Sequence, residues 1–106
     1  MSAPAEEGFI PVARVEDIAP GGSKIVELPD RFVALFNVDG AIHAVDNSCP
    51  HSGGPLGKGD LDGEIITCPW HMWSFNVRTG VCEINPEERI EVYPVRVRDG
   101  NVLIKV

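Results

Sequence analysis

Two short segments, Cys49-Pro50-His51 and Cys68-Pro69-Trp70-His71, are the most informative part of this sequence. Each segment opens with Cys-Pro and supplies one thiolate and one imidazole, and sixteen residues separate His51 from Cys68. Each also follows a predicted strand, so two loops at the same end of a β domain could hold the four side chains around one metal centre. We therefore predict that Cys49, His51, Cys68 and His71 are metal ligands.

The donor set by itself leaves two kinds of metal centre open. Two thiolates and two imidazoles suit either zinc or an iron–sulfur cluster. Zinc takes all four ligands on one tetrahedral ion, whereas a two-iron cluster gives both cysteines to one iron and both histidines to the other. Common zinc modules pair Cys with Cys and His with His, while each segment here is mixed, which fits a two-iron centre at least as well. The spacing of the ligands does not decide between them.

The sequence around these segments predicts short strands joined by turns. The chain has 106 residues with eleven Gly and nine Pro, a composition that favours turns. Its sequence contains no amphipathic helical pattern of useful length. Asp39-Gly40 and Asp99-Gly100 separate apolar runs and predict hairpins, because both turn residues must accept positive φ. The predicted strands are Phe9–Arg14, Lys24–Leu28, Arg31–Val38, Ala41–Val45, Glu64–Thr67, Trp73–Val77, Val81–Ile84, Ile90–Val97 and Val102–Val106, with a helical turn at Val15–Ile18. We predict an all-β fold, an antiparallel sandwich or small barrel with both ligand loops at one end.

Length and charge narrow the possible classes of function. The length suits one domain, and we assign residues 1–8 to a flexible tail and residues 9–106 to a single domain. The net charge of −7 disfavours nucleic acids and anionic membranes, since both need basic patches. No apolar run approaches the roughly 20 residues of a membrane span, and the first residues lack the pattern of a secretory signal. We expect a cytoplasmic protein, where disulfides are disfavoured.

The two segments and their flanks resemble the Rieske proteins. The match is Cys-x-His, sixteen residues, then Cys-x-x-His, and it extends through Val38–Ser48 and Phe75–Gly80. The chain looks like the small soluble Rieske ferredoxins that serve bacterial aromatic-ring dioxygenases and related oxygenases. The resemblance implies one [2Fe-2S] cluster, with Cys49 and Cys68 on one iron. His51 and His71 would then bind the other iron through Nδ1, with their Nε2 edges facing solvent.

The same resemblance implies an electron carrier and not an enzyme. Such a protein accepts an electron from a flavin-containing ferredoxin reductase and passes it to a terminal oxygenase, and a monomer would suit this shuttle. A resemblance to the small subunit of assimilatory nitrite reductases gives the alternative. Residues Asn47–Gly57 and Ile65–Val77 include no Asp, Glu, Lys or Arg. We therefore predict an uncharged, partly apolar cap around the exposed histidines that serves as the docking face.

Departures from the family pattern predict a low reduction potential. High-potential members carry one extra cysteine in each ligand loop, joined as a disulfide, at positions that correspond to Gly54 and Trp70. They also supply Ser and Tyr hydroxyls to the cluster at the positions of Trp73 and Phe75, and Phe75 has no donor. Fewer hydrogen bonds to sulfur stabilise the reduced state less. We expect a potential near the low end of the Rieske range, which begins at about −150 mV. Met72 stands where many members have Gly.

Three other residues receive structural interpretations. His43 lies within the predicted strand Ala41–Val45, and we predict a strand residue rather than a ligand. Cys82 has no nearby cysteine in the sequence, and we predict a buried free thiol. Pro86 lies in a third loop, which either covers the cluster, as a proline-containing loop does in relatives, or is an ordinary turn.

Overall fold

The described part of the chain forms ten strands, most of which are apolar runs of the sequence. The computed structural model describes residues 8–49, 54–70 and 72–106. Within these residues there is no α-helix, and short 3-10 turns occur at Val15–Asp17 and Leu56–Lys58. The strands are β1 (Phe9–Arg14), β2 (Ser23–Leu28), β3 (Arg31–Val38), β4 (Ala41–Asp46), β5 (Asp60–Asp62), β6 (Ile65–Thr67), β7 (Ser74–Asn76), β8 (Val92–Tyr93), β9 (Val95–Arg98) and β10 (Asn101–Lys105). The predicted all-β class is confirmed.

The strands form three antiparallel sheets, with the order β2-β3-β4-β8 in the central sheet. The back sheet has the order β1-β10-β9, and the ligand-side sheet has the order β5-β6-β7. Both faces of β3 are covered, because every residue from Val33 to Asn37 is buried. Alternate side chains of this strand therefore enter two separate cores, as the period of two in a strand requires.

The central sheet separates these two cores. Ala34 and Phe36 face the ligand-side core, which also contains Cys49 and Cys68. Val33 and its neighbours face the back core, which the back sheet covers. The members of the back core are Ile18, Val33, Leu35, Ile42, Ala44, Tyr93, Val102 and Ile104.

Both predicted Asp-Gly hairpins are confirmed. Asp39 and Gly40 have φ of 50° and 95°, and Asp99 and Gly100 have φ of 53° and 80°. These values match a two-residue turn in which both central residues are left-handed. The buried Asn37 side chain supports the first turn, since its Oδ1 accepts the Gly40 N–H at 2.7 Å. The hairpins fix the register of β3 with β4 and of β9 with β10.

Two predicted strands differ in the structure, and one further strand was not predicted. The strand predicted at Val81–Ile84 is wrong, because this segment makes only the isolated bridges Val81–Arg89 and Cys82–Phe75. The strand predicted at Ile90–Val97 is shortened and divided at Pro94, which lacks the N–H needed to continue a ladder. The strand Asp60–Asp62, which pairs with Ile65–Thr67 around a turn at Gly63, was not predicted.

The ends of the chain add two facts. Of the tail predicted at residues 1–8, only Gly8 falls within the described residues. In the part of the chain that the structure describes, no helix has the length and apolar character to cross a membrane. The assignment of residues 9–106 to a single domain stays a prediction.

Candidate metal centre

The first ligand loop, residues 47–59, connects β4 to β5 and is held at both ends by Asn47. The Asn47 N–H donates to the carbonyl oxygen of Phe32 at 3.0 Å, and its own carbonyl accepts the Leu56 N–H at 2.7 Å. Its side-chain Oδ1 accepts the Gly57 N–H at 2.7 Å. Asn47 is buried, so these bonds satisfy polar groups that water does not reach. The loop therefore leaves and returns to one point on the central sheet.

The Cys49 end of this loop closes a smaller turn. The Cys49 N–H donates to the carbonyl oxygen of Gly54 at 2.9 Å, and a bridge pairs Ser48 with Pro55 just outside it. Cys49 is 1% exposed and belongs to the ligand-side core. His51 lies on the intervening chain and outside the described residues. The first loop thus places its thiol in the core.

The second ligand loop, residues 68–73, is the connection of the β6–β7 hairpin. The Cys68 N–H donates to the carbonyl oxygen of Trp73 at 2.7 Å, and the Met72 N–H donates to the carbonyl oxygen of Cys68 at 3.0 Å. Below it, the hydroxyl oxygens of Thr67 and Ser74 lie 3.0 Å apart across the two strands. Cys68 is fully buried. His71, between Trp70 and Met72 in the sequence, lies outside the described residues.

Met72 holds the strained position of this loop. Its φ is 61°, in the left-handed region that Gly adopts without steric cost. For a residue with a Cβ this conformation costs roughly 1–2 kcal/mol. Met72 therefore adopts a backbone conformation that would suit Gly better than a residue with a side chain.

The two ligand loops meet at Gly54. A Cβ atom added at position 54 would lie 2.8 Å from the Sγ of Cys68 and 3.0 Å from the Cγ of Trp70. Positions 54 and 70 therefore face each other across the two loops, where a disulfide would have to lie. With Gly and Trp at these positions no such bond forms, and none of Cys49, Cys68 and Cys82 is in a disulfide.

The thiols of this region fit a soft metal centre. Cys49 and Cys68 lie in one core, both buried and both without a disulfide. Thiolates of this kind are the ligands that zinc and iron–sulfur clusters prefer. Cys82, 1% exposed, lies in the same core, which confirms its predicted burial. The described residues place Cys49 and Cys68 in one core, and their role as metal ligands stays a prediction.

The surface beside the second loop is apolar. Trp70 and Met72, on either side of His71 in the sequence, are 61% and 65% exposed. Trp73 is partly buried and packs against the ligand-side core. The third loop begins nearby, since the Glu83 N–H donates to the carbonyl oxygen of Ser74 at 2.7 Å. Pro86 in that loop is exposed, and its role as a cover stays a prediction.

His43 lies in β4, as predicted, and its Cα is paired with that of Phe36 on β3. Burial lowers the pKa of His43 below its ordinary value, the charge of Glu64 opposes this change, and Arg78 lowers the pKa further. A partly buried histidine that favours its neutral form is compatible with a strand position.

A comparison with known protein families decides the identity of the fold. The family model described as the Rieske [2Fe-2S] domain matches residues 8–94. The chain belongs to the Rieske [2Fe-2S] domain family. The cofactor of this Rieske domain is one [2Fe-2S] cluster, so zinc is not its metal.

Three known proteins illustrate the similarity. The 3-phenylpropionate/cinnamic acid dioxygenase ferredoxin subunit of Photorhabdus laumondii is 41% identical over 98 residues, which cover 90% of this Rieske chain and 91% of the relative. A chain in the complex of reduced oxygenase and oxidised ferredoxin of carbazole 1,9a-dioxygenase matches with a TM-score of 0.86 and 30% identity, over 92% of each chain. A chain assigned as the small subunit of an NADH-dependent nitrite reductase from Mycobacterium tuberculosis matches with a TM-score of 0.82 and 30% identity. The match covers 91% of this chain and 92% of that chain.

Asn47 and the role of Gly54 as a contact point between the loops were not predicted from the sequence. An Asn between a strand and a loop is a common turn residue, which gave a local signal. Its partners Leu56 and Gly57 lie nine and ten residues away. The close approach of Gly54 to Cys68 depends on the packing of two loops that are distant in sequence, so no local pattern encodes it.

Proposed function

We propose that this protein carries single electrons from a flavin-containing ferredoxin reductase to a terminal oxygenase. The observation that carries the proposal is the pair of buried thiols, neither in a disulfide, on two loops that meet at Gly54 in a Rieske domain. Ferredoxin components of dioxygenase systems are similar over nearly their whole length. In the matched carbazole dioxygenase complex, a ferredoxin is bound to an oxygenase. We also propose a cytoplasmic location and a monomeric state, which suit a shuttle.

Four residues are proposed as ligands of the cluster. Cys49 and Cys68 would bind one iron from inside the ligand-side core, where both are buried. His51 and His71 would bind the other, and the exposed neighbours of His71 support an outward position for this half of the site. The cluster supplies a one-electron redox site. Neutral imidazoles in place of two thiolates leave the oxidised centre formally neutral, so that adding an electron is easier than in an all-cysteine site.

The chain's own residues provide the surface through which electrons would pass. Trp70 and Met72 present uncharged, exposed side chains on either side of His71. A small apolar surface suits a transient complex, because electron-transfer complexes bury small interfaces that form and separate quickly. We propose that this face docks in turn to the reductase and to the oxygenase.

We propose a reduction potential near the low end of the Rieske range. Phe75 is fully buried and has no side-chain donor. The nearby hydroxyl of Ser74 lies 3.0 Å from the Thr67 hydroxyl across β6 and β7. With fewer hydrogen bonds to the cluster sulfurs, the reduced state is less stabilised. A measured potential above about +100 mV would refute this proposal.

The metal centre is tested on the purified protein. We expect a red-brown protein that shows a rhombic electron paramagnetic resonance signal after reduction, with two irons per chain. Electron transfer is then tested by mixing the reduced protein with an aromatic-ring oxygenase and following its reoxidation. A colourless protein with stoichiometric zinc would overturn the assignment.

One observation favours a second candidate, the small subunit of a nitrite reductase. The Mycobacterium tuberculosis chain matches with a TM-score of 0.82, close to the 0.86 of the carbazole dioxygenase match. The two functions differ in their partners. Copurification with a large sirohaem-containing chain would support the nitrite reductase, whereas reoxidation by an oxygenase supports the carrier.

A further inference from the structure

The indole of Trp70 belongs to the second ligand loop but packs against the backbone of the first. A Cβ atom added to Gly54 would lie 3.0 and 3.1 Å from the Cγ and Cδ2 of Trp70, and 2.8 Å from the Sγ of Cys68. Gly54 is therefore flanked by the ring and the sulfur at the same time. Distances this short leave no space for any side chain at position 54.

Gly54 also connects this contact to the other thiol. Its carbonyl oxygen accepts the Cys49 N–H at 2.9 Å, so the residue that touches Trp70 and Cys68 also fixes the turn that carries Cys49. Backbone bonds between Cys68 and Trp73 and between Met72 and Cys68 close the second loop on itself. A shift of either loop at the contact between Trp70 and Gly54 would therefore change the positions of both cysteines.

We propose that Trp70 is a positioning residue, which clamps the two ligand loops together without a covalent bond and keeps water from the Cys68 sulfur. The inference rests on the proposed cluster site. The Cγ and Cδ2 atoms of Trp70 lie against Gly54, while 61% of the Trp70 residue remains exposed. A packed aromatic ring stabilises its neighbours by burying apolar surface and excluding water. It therefore acts on the geometry and hydration of the site, and not as a ligand.

The clamp has a definite electrostatic consequence. The reduced centre carries one more negative charge than the oxidised one, and water stabilises the more highly charged state. Removal of the ring would admit water beside the Cys68 sulfur and shift the equilibrium toward the reduced form. It would also give chelators access to the iron that Cys68 binds.

The test uses the holoprotein and the substitution Trp70→Ala. We expect about tenfold faster loss of visible absorbance in excess chelator, the scale seen when residues that support metal ligands are removed. We also expect an equilibrium constant for reduction about threefold larger, which is roughly 30 mV at 59 mV per tenfold. Trp70→Phe should show a rate of cluster loss and an equilibrium constant for reduction close to those of the wild type, because a ring still covers Gly54. Ile84→Ala is the matched control, since Ile84 is 62% exposed on another loop.

A second variant tests the contact from the other side. Gly54→Ala places a methyl group against the Cys68 Sγ and Trp70, and we expect it to accelerate cluster loss as well. The double variant should show less than the sum of the single effects on the logarithm of the loss rate, because both remove one contact. Additive effects would overturn the clamp.

The failure of this inference differs from the failure of the proposed function. Zinc or an all-cysteine spectrum in the wild-type protein overturns the proposed site. A Rieske spectrum in the wild type, with loss rate and potential unchanged in Trp70→Ala, overturns the clamp alone. A lowered unfolding temperature in that variant without a change in potential would likewise reduce Trp70 to a purely structural residue, and the proposal would be wrong.

Discussion

The two ligand loops each carry one cysteine and one histidine of the proposed site, and they are held in place by different means. The first runs over residues 47–59 and is anchored by Asn47, a buried amide whose side chain and backbone bind both ends of the loop. The second spans residues 68–73, follows directly from paired strands, and contains a strained Met72. One loop thus depends on a side-chain hydrogen bond and the other on backbone geometry. The two should respond differently to substitution.

The largest effect is expected where the loops are equivalent, at their histidines. His51→Ala and His71→Ala each remove one proposed ligand of the same iron, and we expect both to abolish the native cluster. The measurement is iron content together with the electron paramagnetic resonance spectrum of the reduced protein. His43→Ala is the control and should leave the spectrum intact. If either loop variant keeps the native spectrum, its histidine is not a ligand.

An intermediate effect is expected for Asn47→Ala, which acts on the first loop alone. The substitution leaves the Gly57 N–H without its buried acceptor, at a cost of about 1–3 kcal/mol in the free energy of unfolding. We also expect faster loss of the cluster in chelator. Unfolding in denaturant and the decay of visible absorbance measure the two effects.

The control for Asn47 is Asn37→Ala. Asn37 is also buried, and its side chain bonds Ile18 and Gly40 beside the β3–β4 turn. We expect a similar loss of stability without a comparable change in the rate of cluster loss. Equal rates in the two variants would show that Asn47 has no special role in holding the first loop.

The smallest effect is expected for Met72→Gly, which acts on the second loop. Relief of the left-handed strain should contribute about 1–2 kcal/mol, and the greater freedom of Gly in the unfolded chain offsets about 0.5–1 kcal/mol of it. We expect a net stabilisation of about 0.5 kcal/mol in denaturant unfolding. Met72→Ala keeps the strain and should show no gain. A destabilised Met72→Gly protein would mean that the side chain contributes more than its strain costs.

The parts of the fold that local chemistry determines were predictable from the sequence. Asp39-Gly40 and Asp99-Gly100 could be assigned to hairpins because their turns require particular residues. The strand Asp60–Asp62 was missed because two of its three residues are acidic, and only its pairing with β6 makes it a strand. The segment Val81–Ile84 has an apolar start but no continuous partner strand. Strand propensity alone does not supply a partner.

The candidate site shows the same division. Its two Cys-Pro segments, together with their flanking sequences, are specific enough to predict the family, which the domain match confirms. The contacts that shape the site were not predictable, because Asn47 binds across its loop and Gly54 meets Trp70 from a separate loop. Such contacts depend on the tertiary fold and leave no periodic signal in the chain.

The division of the protein into two cores has a consequence for its biogenesis. The back core, between the central and back sheets, contains neither Cys49 nor Cys68, and its burial of apolar side chains does not depend on metal. Small metal-binding domains without such a core are unfolded until the metal arrives. We expect the back half of the chain to fold before the cluster is inserted, so that insertion would reorganise the ligand-side core alone.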